Sequence, residues 1–255
     1  MRLKNEINIF LTALLFYTRI PCPAHINHDQ KSLDESTRYF PLIGWIVGGV
    51  AAIVFVLSEK IFPLSISILI SMASTIFLTG AFHEDGFADS CDGLGGGWNK
   101  QQVLDIMKDS RIGSYGAIGL VFILLCKFLS LSSIDPAYIP LILIIGHSLS
   151  RLAVNVFRFT SGYVRENEDA KAKPMAKKIT LENLSIGAIF GLLPVFFLPL
   201  WCALVLMGCA LLAQWLWSRY VVKRIGGYTG DCLGATQQIC EIVIYLGFSV
   251  LWKFI

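Results

Sequence analysis

Apolar runs long enough to cross a bilayer recur along the whole 255-residue chain. A hydrocarbon layer permits few folds, because every backbone N–H and C=O inside it must be paired within the protein. Runs of this length without strand-like alternation specify helices. They fall at roughly 41–58, 63–82, 113–133, 137–158, 181–199, 200–220 and 233–252. The expected fold is all-α: a polytopic integral membrane protein with about seven transmembrane helices, forming a single domain over 1–255. A soluble domain of this size has no use for so much apolar surface, at 55% hydrophobic residues and a mean hydropathy of +0.64. Gly44, Gly48 and Gly49 in the first run suit close helix contact.

The first twenty or so residues resemble a signal peptide only superficially. Arg2 and Lys4 precede an apolar run, but Glu6 and Asn8 interrupt it, and Pro21-Cys22-Pro23 is a poor cleavage site. Ile7, Phe10, Leu11, Leu14 and Leu15 share a helical face from which Asn8 and Thr12 point away. This pattern predicts an interfacial or re-entrant helix that stays on the mature protein.

Charge sets the orientation. Apart from Lys60, Lys127, Arg151 and Lys253, 17 of the 21 Lys and Arg fall on one side of the spans above. The positive-inside rule makes that side cytoplasmic. The loop 159–180 is the most charged stretch, with Arg165, Lys171, Lys173, Lys177 and Lys178, and its composition favours partial disorder. The net charge of +3 is too small and too spread out to indicate nucleic acid. Seven cysteines, mostly inside apolar runs, form no disulfide framework.

The stretch with the most chemistry is His83-Glu84-Asp85-Gly86-Phe87-Ala88-Asp89-Ser90-Cys91-Asp92-Gly93, at the cytoplasmic end of the second span. Four carboxylates lie within nine residues, in a chain with only 15% charged residues. If the span continues as a helix, Asp85, Asp89 and Asp92 stand at i, i+4 and i+7 on one face. Acidic residues at a helix end can simply face water, but three on one face repel each other unless a cation lies between them. All-oxygen ligands suit Mg²⁺ or Mn²⁺, and no CxxC or HExxH pattern calls for zinc. The glycines after Asp92 leave room for a bulky ligand beside the backbone.

Other polar groups sit inside the spans. His147, Arg151 and Asn155 form one stripe at i, i+4 and i+8, suited either to an anionic ligand or carboxylate such as Asp92, or to helix-to-helix hydrogen bonds. Gln237 and Glu241 form a second stripe. Lys127 stands alone, with a stem long enough to snorkel. The turn Gly226-Gly227-Tyr228-Thr229-Gly230-Asp231 precedes a helix; it offers either N–H groups for phosphate or an N-cap at Asp231. A cytoplasmic carboxylate cluster with nearby Lys and Arg suits metal-assisted phosphoryl transfer. There is no P-loop, kinase loop or nucleophile elbow.

The acidic stretch strongly resembles the signature of the cobalamin synthase (adenosylcobinamide-GDP ribazoletransferase) family. The resemblance continues through Phe16-Tyr17-Thr18-Arg19-Ile20-Pro21, Arg38-Tyr39-Phe40-Pro41-Leu42-Ile43-Gly44, the stretch Met107–Gly116, Ser150-Arg151, and Gly230-Asp231-Cys232-Leu233-Gly234-Ala235. Cys91 departs from the small Ala or Thr expected there and leaves the carboxylates intact. The resemblance implies a Mg²⁺-dependent enzyme of the cell inner membrane that catalyses the last step of nucleotide-loop assembly. α-Ribazole, or its 5′-phosphate, attacks adenosylcobinamide-GDP; GMP leaves, and adenosylcobalamin or its phosphate forms. On this reading Asp85, Asp89 and Asp92 bind metal with Glu84 assisting. Lys108 and Arg111 hold phosphate, Asp109 or Asp231 is the base, and Arg151 and His147 take supporting roles. The partners implied are the two substrates and the lipid bilayer, with a homo-oligomer or a complex of pathway enzymes as the assembly to test.

Two other readings remain. Asp89-Ser90-Cys91-Asp92-Gly93 matches the opening of the CDP-alcohol phosphotransferase motif, and Asp105 and Asp109 match the spacing of its close. However, the Ala-Arg between them is absent and the gap is short. A cation-coupled transporter would use the cluster as its ion site, but such sites usually lie at the midplane between repeats, and the chain shows no repeat.

Overall fold

A computed structural model describes residues 2–23, 30–165 and 178–255. Much of the basic loop, 166–177, lies outside the described residues, and with it Lys171, Lys173 and Lys177. Eleven α-helices follow in order among the described residues. They are α1 (Arg2–Tyr17), α2 (Gln30–Ser36), α3 (Phe40–Glu59), α4 (Leu64–Thr79), α5 (Phe82–Gly96), α6 (Lys100–Ile106), α7 (Ser114–Ser132), α8 (Ile139–Thr160), α9 (Leu181–Leu192), α10 (Leu200–Ile225) and α11 (Gly230–Leu251). No strand forms among these residues; an isolated bridge joins Tyr163 to Tyr228. The chain is a multi-pass, all-α membrane protein. Among the described residues, five helices are long and apolar enough to cross a membrane, or six if α4 and α5 are one bent span. The stretch expected as a span at 181–199 is a shorter apolar helix, Leu181–Phe197, whose last turn and a half is 3₁₀.

The bundle is built around α8, which is 78% buried over its apolar window. It lies against α3, α9, α10 and α11. Gly48 lets α3 approach, since a Cβ there would stand 2.7 Å from the Ile144 Cα. Ile139, Ile142, Ile145 and Leu149 of α8 pack with Phe55, Leu206, Ile244 and Phe248 in the larger core cluster.

Helix α1 turns a different face inward from the one its apolar residues suggested. Ile9, Thr12, Ala13 and Tyr17 are buried, whereas Ile7 and Leu15 are exposed. A bilayer removes the usual sorting: lipid accepts Ile and Leu, and small or hydrogen-bonded side chains face the protein. Thr12 satisfies its hydroxyl on the Asn8 carbonyl at 2.8 Å.

The second span does not run straight into the acidic motif. Gly80 (φ 68°) and Ala81 (φ 58°) are both left-handed, and the chain bends by 88° between α4 and α5. Glycine adopts this conformation freely and alanine does not. The Arg19 side chain lies over the Gly80 turn, and the Arg19 backbone N–H donates to the Leu78 carbonyl at 2.7 Å. The acidic residues therefore occupy a helix of their own, laid across the end of α4.

Candidate active site

Helix α5 presents two chemical faces. Asp85 is exposed and Asp89 half-buried, whereas Glu84 and Asp92 are buried. The structure therefore divides the four carboxylates that the sequence grouped.

Asp85 and Asp89 face the first turn of α11. A Cβ on Gly86 would stand 3.0 Å from the Asp231 Cα, so the glycine brings the two backbones together. The negative charges of Asp231, Asp85 and Asp92 all bear on Asp89, Asp231 most strongly. No hydrogen bond or ion pair joins the Asp85 or Asp89 side chain to another described residue. Asp231 is held: its Oδ2 accepts from Arg165 Nη2 at 2.7 Å and from Thr229 Oγ1 at 3.2 Å. The N-cap of α11 is Thr229, whose Oγ1 accepts from the Cys232 N–H at 3.3 Å, and not Asp231. Asp231 instead sits inside the first turn, where the helix dipole favours a carboxylate.

Asp92 points the other way. Its Oδ2 accepts from the Gly113 N–H and its Oδ1 from the Gly116 N–H, both at 2.8 Å. These are orphan donors at the start of α7, whose N-cap, Gly113, has no side chain to cap with. Asp92 caps a helix that begins 22 residues later. The sequence reading groups it with Asp85 and Asp89 as a metal ligand; in the structure both of its oxygens are engaged by backbone N–H groups, apart from those two residues.

Asp109 and Arg111 form a local clasp. Arg111 donates from its backbone N–H at 3.0 Å, from Nε at 3.0 Å and from Nη2 at 2.7 Å. These bonds hold the Asp109 carboxyl down at about 2 and raise the Arg111 guanidinium. A carboxylate so committed is a weak proton acceptor. Lys108 is exposed beside it. A cavity of about 660 Å³ opens here, lined by Asp92, Gly96, Asp105, Asp109, Arg111 and Tyr115. Most glycines of the Gly93–Gly97 run do not stand open for a ligand: Gly93 faces Met107, Gly95 faces the Tyr115 ring and Gly97 faces Val103. The Gly226-Gly227 turn is likewise filled, with Gly227 against the Gly162 backbone.

Glu84 faces inward. Its Oε1 accepts from Gln238 Nε2 at 3.1 Å, at the edge of a buried network. In that network Lys127 Nζ lies 3.0 Å from Glu241, and His147 Nδ1 lies 3.5 Å from Glu241. Arg151 Nη1 meets His147 Nδ1 at 3.2 Å and donates to the His147 carbonyl at 2.9 Å. Gln237 bonds both Ser150 and Glu241. Lys127 is therefore buried and paired, where the sequence left it isolated. Arg151 and His147 engage this network and not Asp92. Asn155, the third member of their stripe, donates to the Thr37 carbonyl at 2.9 Å.

The sequence profile of the family described as cobalamin-5-phosphate synthase matches residues 9–249. The chain belongs to this family. Its relatives include a protein of Shewanella amazonensis, 42% identical over 98% of both chains. Another, from Shewanella woodyi, is 43% identical over 97% of this chain and 99% of its own. A third, from Ralstonia pickettii, is 45% identical over 96% of both chains. All three are named adenosylcobinamide-GDP ribazoletransferase. No solved structure matches. The matched region contains both the acidic edge and the buried network.

Sequence reading missed Arg165, Thr229 and the Lys127–Glu241 pair. Arg165 was one basic residue in a charged loop, and nothing local marked it as the partner of Asp231, 66 residues away. The Thr229 cap was readable in principle, because Thr precedes the helix and the acidic residue follows it.

Proposed function

We propose that this chain transfers the cobinamide phosphate group of adenosylcobinamide-GDP to α-ribazole or its 5′-phosphate, releasing GMP. The observation that carries the reading is the pair Asp85 and Asp89: two carboxylates without partners among the described residues, one turn apart, facing Asp231. Unpaired like charges in this arrangement call for a cation. Among the described residues no three His, Cys, Asp or Glu side chains are grouped to hold a metal ion by themselves. That fits Mg²⁺, which commonly takes one or two carboxylates and leaves its other positions to phosphate oxygens and water. Asp85 and Asp89 would hold it, with Asp231 nearby. When bound, such an ion offsets the charge of the diphosphate and of the leaving GMP.

The chain's own groups do the rest. Lys108, exposed beside the 660 Å³ cavity, and Arg111, in its wall, supply positive charge for the phosphate oxygens. Asp92 fixes the start of α7, so that wall keeps its shape around the substrate. Asp231, whose Oδ2 is held by Arg165 and Thr229 while its Oδ1 makes no hydrogen bond among the described residues, is better placed than Asp109 to take the proton of the attacking ribazole hydroxyl, because both oxygens of Asp109 accept from Arg111. The distribution of Lys and Arg supports a plasma-membrane protein with this edge facing the cytoplasm.

The test is GMP release by purified protein in vesicles containing adenosylcobinamide-GDP and α-ribazole, with and without Mg²⁺. Release that needs both substrates and the metal supports the reading. No release from folded protein, with CMP released from CDP-linked lipids instead, would move the chain to the phosphotransferase reading.

A further inference from the structure

A groove of about 940 Å³ lies on the outer wall of the bundle, between the C-terminal halves of α8 and α10. It does not share residues with the acidic edge, but it opens at the same end of the bundle, where Arg224 donates to the Gly97 carbonyl at the end of α5. Its wall on α10 is mixed and becomes basic toward the C-terminal end. Leu211, Gln214, Trp215 and Ser218 come first, with Leu211 and Trp215 half-exposed and Gln214 and Ser218 buried. Arg219 and Lys223 come last.

Three features of this wall suit a ligand. Gln214 is only 4% exposed, lines the groove, and has no hydrogen-bond partner among the described residues. An amide left unpaired in apolar surroundings costs about 2 kcal/mol or more, so a polar ligand group beside it is favoured. Ser218 also lines the groove and donates to the Trp215 carbonyl of its own helix at 3.0 Å, which leaves its oxygen able to accept. Arg219 lies over the Trp215 ring at 5.1 Å and, like Lys223, has no carboxylate partner among the described residues.

We infer that this groove seats an anionic phospholipid. The phosphate lies between Arg219 and Lys223, the glycerol and ester oxygens lie on Gln214 and Ser218, and one acyl chain runs over Leu211 and Trp215. Apolar and hydrogen-bonding side chains lie side by side on α10 from Leu211 to Ser218, and the charged pair follows at the membrane-surface end, where the phosphate of such a lipid lies. Gln214 to Lys223 is nine residues, about 13 Å of helix. Basic pockets between helices at the membrane surface bind anionic headgroups in this way. The inference rests on the membrane-spanning fold and not on the transferase reading.

The test uses the full chain in detergent, titrated with phosphatidylglycerol or phosphatidylcholine and followed by native mass spectrometry. The wild type is expected to bind phosphatidylglycerol preferentially. The Arg219→Ala/Lys223→Ala double variant should lose about 30-fold in affinity for it, from two charges near the surface. Gln214→Leu should weaken both lipids and leave the preference between them unchanged. Circular dichroism and the melting midpoint in detergent alone show that the variants fold; should the double variant fail, Arg219→Gln carries the test with about half the logarithmic effect. Equal binding of the two lipids by the wild type, or an unchanged preference in a folded variant, overturns the inference. So does competition by soluble glycerol 3-phosphate, which would make this a free-phosphate site. A dimer mass that Leu211→Arg splits would make the groove a subunit interface and overturn it as well.

Discussion

The two faces of α5 carry the same kind of side chain to opposite ends. On one face Asp85 and Asp89 have no hydrogen-bond or ion-pair partner among the described residues. On the other, Glu84 joins a network in which Lys127, Glu241, His147, Arg151, Gln237 and Gln238 answer one another. Buried charges survive in a bilayer when they are paired and hydrogen-bonded. The inner face meets that condition at Lys127 and Glu241, whereas Glu84 Oε2, Arg151 Nε and Gln238 Oε1 have no hydrogen-bond partner among the described residues; together these groups tie α5, α7, α8 and α11 to one another. On the reading proposed above, the outer face keeps its charge for a cation. What separates the two is the partner, not the residue type.

The sharpest way to break this contrast is at Asp89. Asp89→Asn keeps the shape and removes the charge. Activity measured as GMP release should fall by a factor of about 10² to 10⁴, while the melting midpoint in detergent stays within a degree or two. Wild-type turnover in this variant would remove Asp89 from the chemistry. The inner face should behave in the opposite way. Glu241→Leu strands Lys127 and should destabilise the protein by about 3–5 kcal/mol, seen as lost yield and a lower midpoint. Adding Lys127→Met should restore much of that loss. Failure of the second change to restore any would mean that the pair is not the source of the stability.

Asp92 lies between these extremes, because it is a cap on α7. Asp92→Ala leaves two backbone N–H groups unmet, the buried one of Gly116 at about 1–3 kcal/mol and the part-buried one of Gly113 at less. Asp92→Asn can still accept one of the two bonds and should cost less. A metal ligand would show the reverse ranking against added Mg²⁺: both variants would recover with more ion, whereas a cap gains nothing from it. The smallest expected effect is at Asp109. Its carboxyl is depressed to about 2, so the clasp contributes fully above the ordinary carboxylate range and is lost only as pH falls through about 2. A carboxyl NMR titration should show no Asp109 transition between pH 3.5 and about 7. In Arg111→Gln the midpoint should move up toward an ordinary aspartate.

The sequence patterns that proved most readable were those with a period or a composition. The apolar runs located the long helices α3, α7, α8, α10 and α11 to within a few residues, and the stripe of His147, Arg151 and Asn155 marked the most buried helix. The acidic cluster was visible as composition, but its division was not. Whether Glu84 faces inward and Asp85 outward depends on the 88° bend before them, and Ala81 in a left-handed conformation leaves no local signal. The Lys127–Glu241 pair joins residues 114 positions apart, and no helical period connects them. The face of α1 was misread for a physical reason: in lipid, hydrophobicity no longer distinguishes the inside of a protein from its outside.

Helix α5 is anchored along its whole length: by Glu84 to Gln238, by Asp92 to the backbone of α7, and by the Gly97 carbonyl to Arg224. In mechanical terms it is an anvil and not a hinge. A substrate as large as a corrinoid has to be brought to a surface that does not give way, so the compliance needed for entry and release belongs to what surrounds α5. The exposed stretch Lys108–Ile112, held by its own short clasp, is one place where the chain can yield without disturbing the helix that carries the carboxylates.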